Sequence, residues 1–408
     1  MKKSFADILD NLEDKQRKKI ARKLPEWAGV EGLQIPSSLN LEQCSSTAAA
    51  RYKASLLTSF VQKGVQADAG QRADAAGGGP APVSITVCDI TGGLGVDSWA
   101  FSKAADKVWH YERDSGLSGA AASNFRLLGA DNIITVNQEV GPGTPLPQCD
   151  MIFADPARRD DCGRKVFLLE DCSPDILTLL PSLWRVTDRI MLKLSPMADI
   201  SMVASRLGKE LKEVHIVCLD SEVKELLCLL EKGHCGDYST VIPLESAERL
   251  SFRRPDEAEA PVRYAGADSL KPGAILLEPG AALLKSGAFK LPCSLYGLEK
   301  ISPDVHYYIL PEKAESADIP EGLFKSYRIL EISPFSSRSI KEFGSKYPGA
   351  GGITARGLPV SSEQLRARMR LRGTSPDLHL FAFPGLLLAA RNVAQYAAHL
   401  RLCNIPQK

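Results

Sequence analysis

Val87-Cys88-Asp89-Ile90-Thr91-Gly92-Gly93-Leu94-Gly95-Val96-Asp97-Ser98 follows an apolar, strand-like run that starts at Val83, and it leads into a helical pattern. A strand that breaks into glycines ahead of a helix makes a nucleotide pocket. The glycines let the backbone approach a ligand, and the helix start offers unpaired N–H groups. Read as G-x-G-x-x-G, the stretch supplies Gly93 and Gly95, with Ser98 at the third position, where close helix–strand packing is wanted. By itself the turn admits a nicotinamide dinucleotide or another nucleoside.

The residues beyond it narrow the choice. Strand-like runs at 83–88, 107–111, 132–136, 150–154, 189–194, 214–219 and 224–230 alternate with helical or loop segments, the mark of a parallel sheet. The last pair departs from this, because only the few residues around Asp220-Ser221-Glu222 join them. So short a link permits a hairpin and forbids a parallel crossover. Tyr238 to Leu244 is a rival closing strand. The expected fold is therefore α/β: an open, Rossmann-like sheet ending in an antiparallel hairpin, as in class I methyltransferases and unlike nicotinamide-binding domains.

Residues 1–82 read as an N-terminal helical region and flexible linker. A basic helix face over 15–23 should stop at Pro25, and Ser45-Ser46-Thr47 should cap a helix from Ala48 to Val61. Gly64 to Pro82 is rich in Ala, Gly, Asp and Pro and reads as a flexible connection. The sheet domain occupies 83–245, a small α+β unit 246–325, and a basic domain 326–408. In the last, Gln364 to Arg372 alternates, so a strand would carry Arg366, Arg368, Arg370 and Arg372 on one face. A strand over Leu378 to Phe383 and a closing helix over Leu387 to Leu402 complete the expectation.

Charge is unevenly spread. Ser326 to Lys408 holds 12 Lys+Arg against 4 Asp+Glu, while the whole chain is only +1. A basic module on an acidic body suits a polyanionic partner, and a solvated basic surface is the alternative. The 10 cysteines form no C-x-x-C pair, so no metal site is indicated, and several lie inside apolar runs as expected of buried thiols in a reducing compartment. No apolar run approaches the ~18 residues of a membrane span. The cytoplasm is the expected location, with no membrane partner. Oligomeric state is not legible.

Asp89-x-Thr91-x-Gly93-x-Gly95 resembles the first motif of class I S-adenosylmethionine (AdoMet) methyltransferases. The resemblance implies that the turn cradles the amino-acid end of AdoMet, with Asp89 orienting the loop or meeting the ligand's ammonium. Glu112, ending the second strand, is placed to accept hydrogen bonds from ribose hydroxyls. Asn137 or Gln138, at the end of the third, would contact the adenine amine.

The fourth strand ends in Asp155-Pro156-Ala157-Arg158-Arg159. This resembles the (D/N/S)-P-P-(Y/F/W) motif of enzymes that methylate exocyclic base amines. There the acid and the proline carbonyl accept hydrogen bonds from the target NH₂ and aim its lone pair. Ala157 replaces the second proline, and Arg158 the stacking aromatic, though a guanidinium plane can also stack. The D-P-P-R of uracil-C5 methyltransferases is similar, but those need a cysteine on the next strand end. Here that end reads Lys193-Leu194-Ser195-Pro196. Lys193, on an apolar strand, needs a carboxylate partner or reaches an opening toward the base or its phosphate.

Lys23 to Trp27, Leu41 to Thr47 with Tyr52-Lys53-Ala54, Leu277-Glu278-Pro279 and Lys285-x-Gly287 extend the likeness over nearly the whole chain. They resemble bacterial class I methyltransferases with a ferredoxin-like unit and a THUMP-like C-terminal domain. That resemblance implies RNA, tRNA or rRNA, as acceptor; with RNA bound, Arg159, Lys193 and the four strand arginines are the expected nucleic-acid contacts. Two other readings stand beside it: a methyltransferase of protein or small molecules, and a non-catalytic RNA-binding protein that keeps AdoMet structurally.

Overall fold

The computed structural model describes residues 17–72, 84–158, 169–244, 248–311 and 319–393. It divides into two compact units, Met1–Val217 with Glu225–Tyr238, and Cys218–Lys224 with Ser239–Lys408.

In the first unit a helix over 17–23 ends ahead of Pro25, whose ring and missing N–H oppose its continuation. Ser37 accepts the Asn40 N–H at 3.1 Å to open α1 (Ser38–Gln43), and Ser46 accepts the Ala49 N–H at 3.2 Å to open α2 (Thr47–Arg72). The helix continues past the expected stop at Val61. Gln62, Lys63, Gln66 and Ala67 are good helix formers that outweigh Gly64. Residues 73–83 of the expected linker lie outside the described residues.

Seven strands follow the predicted places: β1 (Thr86–Asp89), β2 (Lys107–Glu112), β3 (Ile133–Asn137), β4 (Met151–Ala154), β7 (Arg189–Leu194), β8 (Leu211–Leu219) and β9 (Glu222–Glu231); the short pair β5 (Ala157–Arg158) and β6 (Cys172–Ser173) was not expected. Between them run α3 (Val96–Ser102), α4 (Ser115–Leu127), α5 (Ile176–Leu183) and α6 (Ile200–Leu207). Seven of these strands run in the order β8-β9-β7-β4-β1-β2-β3, parallel from β3 to β7 and antiparallel where β9 meets β7. Asp220 and Ser221 turn the closing hairpin at φ 53° and 63°, the two left-handed residues of a type I′ turn. The chain leaves β1 toward β2 and later returns to β4 on the other side, which opens a crevice at the carboxyl ends of β1 and β4.

One core joins the helical N-terminus to this sheet. Trp27, Leu41, Leu57, Phe60 and Val61 are buried with Val87, Phe101, Phe153, Met191 and Leu229. Trp27 meets Trp99 edge-on at 6.0 Å. Each such aliphatic side chain contributes roughly 1.5–3 kcal/mol on burial.

The second unit contains the hairpin of β10 (Ser239–Pro243), at the place of the rival strand Tyr238 to Leu244, and β11 (Arg249–Arg253), followed by α7 (Arg254–Glu259). Its sheet comprises β12 (Ile275–Pro279), β13 (Glu299–Ser302), β14 (Val305–Leu310), β15 (Phe324–Ser333), β16 (Ala350–Ala355), β17 (Ser375–Phe383) and β18 (Leu386–Asn392), in the order β13-β14-β12-β15-β18-β17-β16. Leu276 of β12 pairs with Tyr327 of β15, so the segments expected as separate domains, 246–325 and 326–408, share one sheet. Helices α8 (Ala281–Ser286), α9 (Leu291–Tyr296), α10 (Ser337–Lys346) and α11 (Ser362–Met369) connect the strands.

Two expectations fail here. Residues 362–369 are helix, not strand. Ser361 and Gln364 form a reciprocal capping box that starts α11, and Leu365 and Met369, four apart, are the buried pair. Ala367, expected to share their face, is exposed. The arginines are accordingly spread around a helix and its end, with Arg370 the left-handed cap at φ 56°. The closing helix expected from Leu387 is instead β18, where Leu387 to Ala390 are buried on both faces; a continuous apolar run does not distinguish helix from strand. The remainder of that expected helix, 394–402, lies outside the described residues.

Candidate active site

The glycine turn is built on a buried imidazole. His110 of β2 is fully buried, and a Cβ on Gly92 would fall 2.1 Å from its Cε1. Only glycine lets the backbone lie on that ring. Gly93 and Gly95 take left-handed φ of 56° and 88°. A Cβ on Gly95 would strike Phe125 at 2.4 Å, whereas one on Gly93 has nothing nearer than the Thr91 carbonyl at 3.9 Å. The space over Gly93 is therefore open, as a backbone that receives a ligand requires.

Asp89 closes β1 beneath the turn, 1% exposed. Its carboxylate accepts the Ser98 hydroxyl at 2.6 Å and the Thr91 N–H at 3.1 Å. Burial is the main cause that raises its pKa to about 7, opposed by these two donors and helped by the carboxylates of Asp97 and Asp155. Burial also lowers the His110 pKa to about 3, so its ring is neutral. Ser98 Oγ gives its proton to Asp89 and so accepts from His110 Nδ1 at 2.9 Å, which fixes the proton on that nitrogen. His110 Nε2 has no hydrogen-bond partner among the described residues. Ser98, read from the sequence as a packing residue, is thus the link of a His110–Ser98–Asp89 chain. His110 itself carried no sequence signal, because nothing local places it under Gly92.

Glu112 sits at the end of β2. Its Oε2 accepts the Gly93 N–H and its Oε1 the Asp114 N–H, both at 2.8 Å. These bonds aim the carboxylate at the turn and leave lone pairs on each oxygen for ribose hydroxyls. The Asn137 amide donates to the Glu112 and Arg113 carbonyls at 2.8 and 3.1 Å, which fixes the end of β2. Gln138 follows β3 in an exposed turn, its N–H on the Val136 carbonyl at 3.1 Å. The open cradle at Gly93 and the Glu112 carboxylate beside it, on a turn ordered from beneath by buried Asp89, fit AdoMet, whose activated methyl group is the chemistry the cofactor would supply here.

Asp155 follows β4 directly across the crevice. Its N–H donates to Thr91 Oγ1 at 2.6 Å, so the two strand ends are tied together. Pro156 is buried and turns the chain into β5. The Asp155 side chain is 34% exposed, and Lys193 of β7 grips its Oδ2. Lys193, 13% exposed, is opposed by burial, but the carboxylates of Asp155, Asp97 and Glu225 outweigh that and raise its pKa. Of the residues expected on the acceptor side, Lys193 is thus engaged with Asp155. Arg158 is described only in its backbone, paired with Cys172, and Arg159 lies outside the described residues. Arg366, Arg368, Arg370 and Arg372 are exposed on the second unit, with Arg366 donating to the Gly351 carbonyl at 3.1 Å. Among the described residues, no three His, Cys, Asp or Glu side chains are grouped to hold a metal, and no helix is long and apolar enough to cross a membrane.

The chain is similar to several known proteins. Residues 276–316 match a ferredoxin-like domain family. Two proteins of Mycobacterium tuberculosis strains, each described as an uncharacterized S-adenosylmethionine-dependent methyltransferase, are 27% identical over 294 residues, 71% of this chain and 75% of theirs. A crystal structure from Porphyromonas gingivalis W83, described as a "putative methyltransferase", superposes with a TM-score of 0.77 at 28% identity. It covers 93% of this chain and 89% of that one. With the strand order and the cradle, these likenesses identify an AdoMet-dependent methyltransferase of α/β fold with a ferredoxin-like domain toward the C-terminus.

Proposed function

We propose that this AdoMet-dependent methyltransferase acts on RNA, tRNA or rRNA, at an exocyclic base nitrogen. The carrying observation is the Asp155-Pro156 turn, tied by its own N–H to the cofactor turn and presenting a half-open carboxylate at the crevice. With Oδ2 held by Lys193, Oδ1 accepts one N–H of the target amine, and the Pro156 carbonyl accepts the other. The nitrogen lone pair then points along the line of displacement. Bound AdoMet would supply the activated methyl group, and Asp155 or water would take the proton that the amine gives up. Positioning supplies most of the catalysis, because the methyl donor is already activated. Asp89, Thr91, Gly93, Gly95 and Glu112 hold the cofactor in this reading, with Asn137 or Gln138 beside its adenine. Lys193 orients Asp155, and Arg158 and Arg159 face the base or its phosphate.

RNA as acceptor is supported by the likeness of Asp155-Pro156 to base-amine methyltransferases and by the exposed arginines of a segment that carries 12 Lys+Arg against 4 Asp+Glu. The test incubates labelled AdoMet with RNA from cells lacking the protein and identifies the product nucleoside by mass. Asp155→Ala should abolish transfer and leave AdoMet affinity within about threefold. Loss of both together would overturn the role given to Asp155. Methylation of a protein or small molecule without RNA affinity at low salt would overturn the choice of acceptor.

A further inference from the structure

Lys53 projects from α2 into the first unit and is 0% exposed. A lysine so placed must find acceptors for all three protons. Its Nζ lies 2.9 Å from Ser45 Oγ, 3.0 Å from Asp97 Oδ1 and 2.7 Å from Glu225 Oε1. Asp97 and Glu225 are themselves only 8% and 3% exposed. Ser45 bridges back, donating to Asp97 Oδ2 at 2.7 Å. The Asp97 Oδ1 contact is an ion pair without hydrogen-bond geometry, so that oxygen is held by charge alone among the described residues.

These carboxylates are not isolated from the crevice. Asp97 lies in the first turn of α3, two residues beyond Gly95. Glu225 is in β9, the strand beside β7, which carries Lys193. Lys193 feels three carboxylates, Asp155, Asp97 and Glu225, while it is hydrogen-bonded to the first. Among the described residues, these contacts set three carboxylates against the Lys53 and Lys193 ammonium groups. Without Lys53, Asp97 and Glu225 would lose the ion pair that it makes with each, and a buried charge left unpaired is costly. The Lys193 ammonium would then be drawn inward, away from Asp155.

We infer that Lys53 is a positioning residue for methyl transfer: by balancing Asp97 and Glu225 it keeps Lys193 committed to Asp155, so that the N-terminal helices form part of the active centre. This rests on the role of Asp155 given above. It also explains why Ser45 and Lys53 occur in the N-terminal stretches that the cofactor motifs leave unexplained.

The test uses the full chain in the variants Lys53→Met, Glu225→Gln and the double variant. The double variant restores the net charge of the cluster, with two carboxylates against one ammonium, whereas Lys53→Met leaves three against one. Two readouts are taken. The first needs no acceptor: side-chain ¹⁵N spectra of labelled lysine, in which the Lys193 resonance is identified by its loss in Lys193→Met. Lys53→Met should shift it in the same direction as Asp155→Asn, and the double variant should return it toward wild type. The second is methyl transfer to RNA from cells lacking the protein, beside AdoMet titration. Lys53→Met should lower kcat at least tenfold with AdoMet affinity within threefold, and the double variant should recover at least fivefold.

An unmoved Lys193 resonance in Lys53→Met, or a double variant no better than the single, overturns the proposal. A wild-type enzyme that transfers nothing to RNA speaks against the acceptor, and the spectra still decide the role of Lys53. Should Lys53→Met not fold, Lys53→Gln takes its place: its amide fills the space without the charge, and the same outcomes apply.

Discussion

An alanine at Gly92 puts a methyl group where His110 already lies. The added Cβ would be 2.1 Å from Cε1, 2.4 Å from Nδ1 and 2.6 Å from Nε2 of the ring. The ring cannot swing away freely. Its Nδ1 is bonded to Ser98, and its plane stands edge-on to Phe125 with centroids 5.1 Å apart. Overpacking of this kind costs about 1–3 kcal/mol, and losing the Ser98 bond adds about 1 kcal/mol. The total of roughly 2–4 kcal/mol lowers Tm by about 5–15 °C for a unit of this size. Scanning calorimetry measures the first effect, and isothermal titration with AdoMet the second, which should be a loss of at least tenfold in affinity.

Three companions isolate the cause. His110→Ala added to Gly92→Ala opens the space and should recover part of the melting loss. Gly143→Ala, whose Cβ meets nothing within 4 Å, should melt as wild type. Gly93→Ala, at φ 56° but facing open space, should cost about 1–2 kcal/mol of stability and yet weaken AdoMet more than tenfold. A Gly92→Ala protein that melts within a degree of wild type would refute the packing argument. So would a Gly93→Ala protein less stable than Gly92→Ala.

Further expectations follow from the same contacts. Asp89, raised to about 7 in the fold, binds its proton more tightly folded than unfolded, so its stabilising contribution is complete below about pH 4 and is lost as pH rises through about 7. Denaturation from pH 5 to 8 should therefore show Asp89→Asn gaining on wild type as pH rises; parallel curves would deny the shift. Leu365→Asp should unfold the second unit's helix layer, while Ala367→Asp changes stability by less than about 0.5 kcal/mol. Equal damage from both would restore the strand. Changing Arg366, Arg368, Arg370 and Arg372 to Gln should flatten the log–log salt slope of tRNA binding by about 1–3 units. An unchanged slope would move the RNA contact elsewhere.

Much of the first unit was legible because its signals are local. A strand that ends in Asp89, breaks at Gly92-Gly93-Leu94-Gly95 and enters a helix fixes its conformation within a few residues. The short link at Asp220-Ser221 likewise forces an antiparallel hairpin, since no parallel crossover fits it. Alternation over Leu365 to Leu371 misled for the opposite reason. Side-chain period competes with capping, and the Ser361–Gln364 box with the Leu365–Met369 pair decides for helix.

What the chain's order determined by itself is the strands of the first unit, the glycine turn and the Asp155-Pro156 turn, all set by neighbours in sequence. The tertiary structure alone decided what lies beneath them: His110 under Gly92, Lys193 on Asp155, and Lys53 between Asp97 and Glu225. Those partners are separated by 18 to 172 residues, and only packing brings them together. A buried charge or ring acquires its partner from the fold, because the cost of leaving it unpaired is incurred only where water has been excluded.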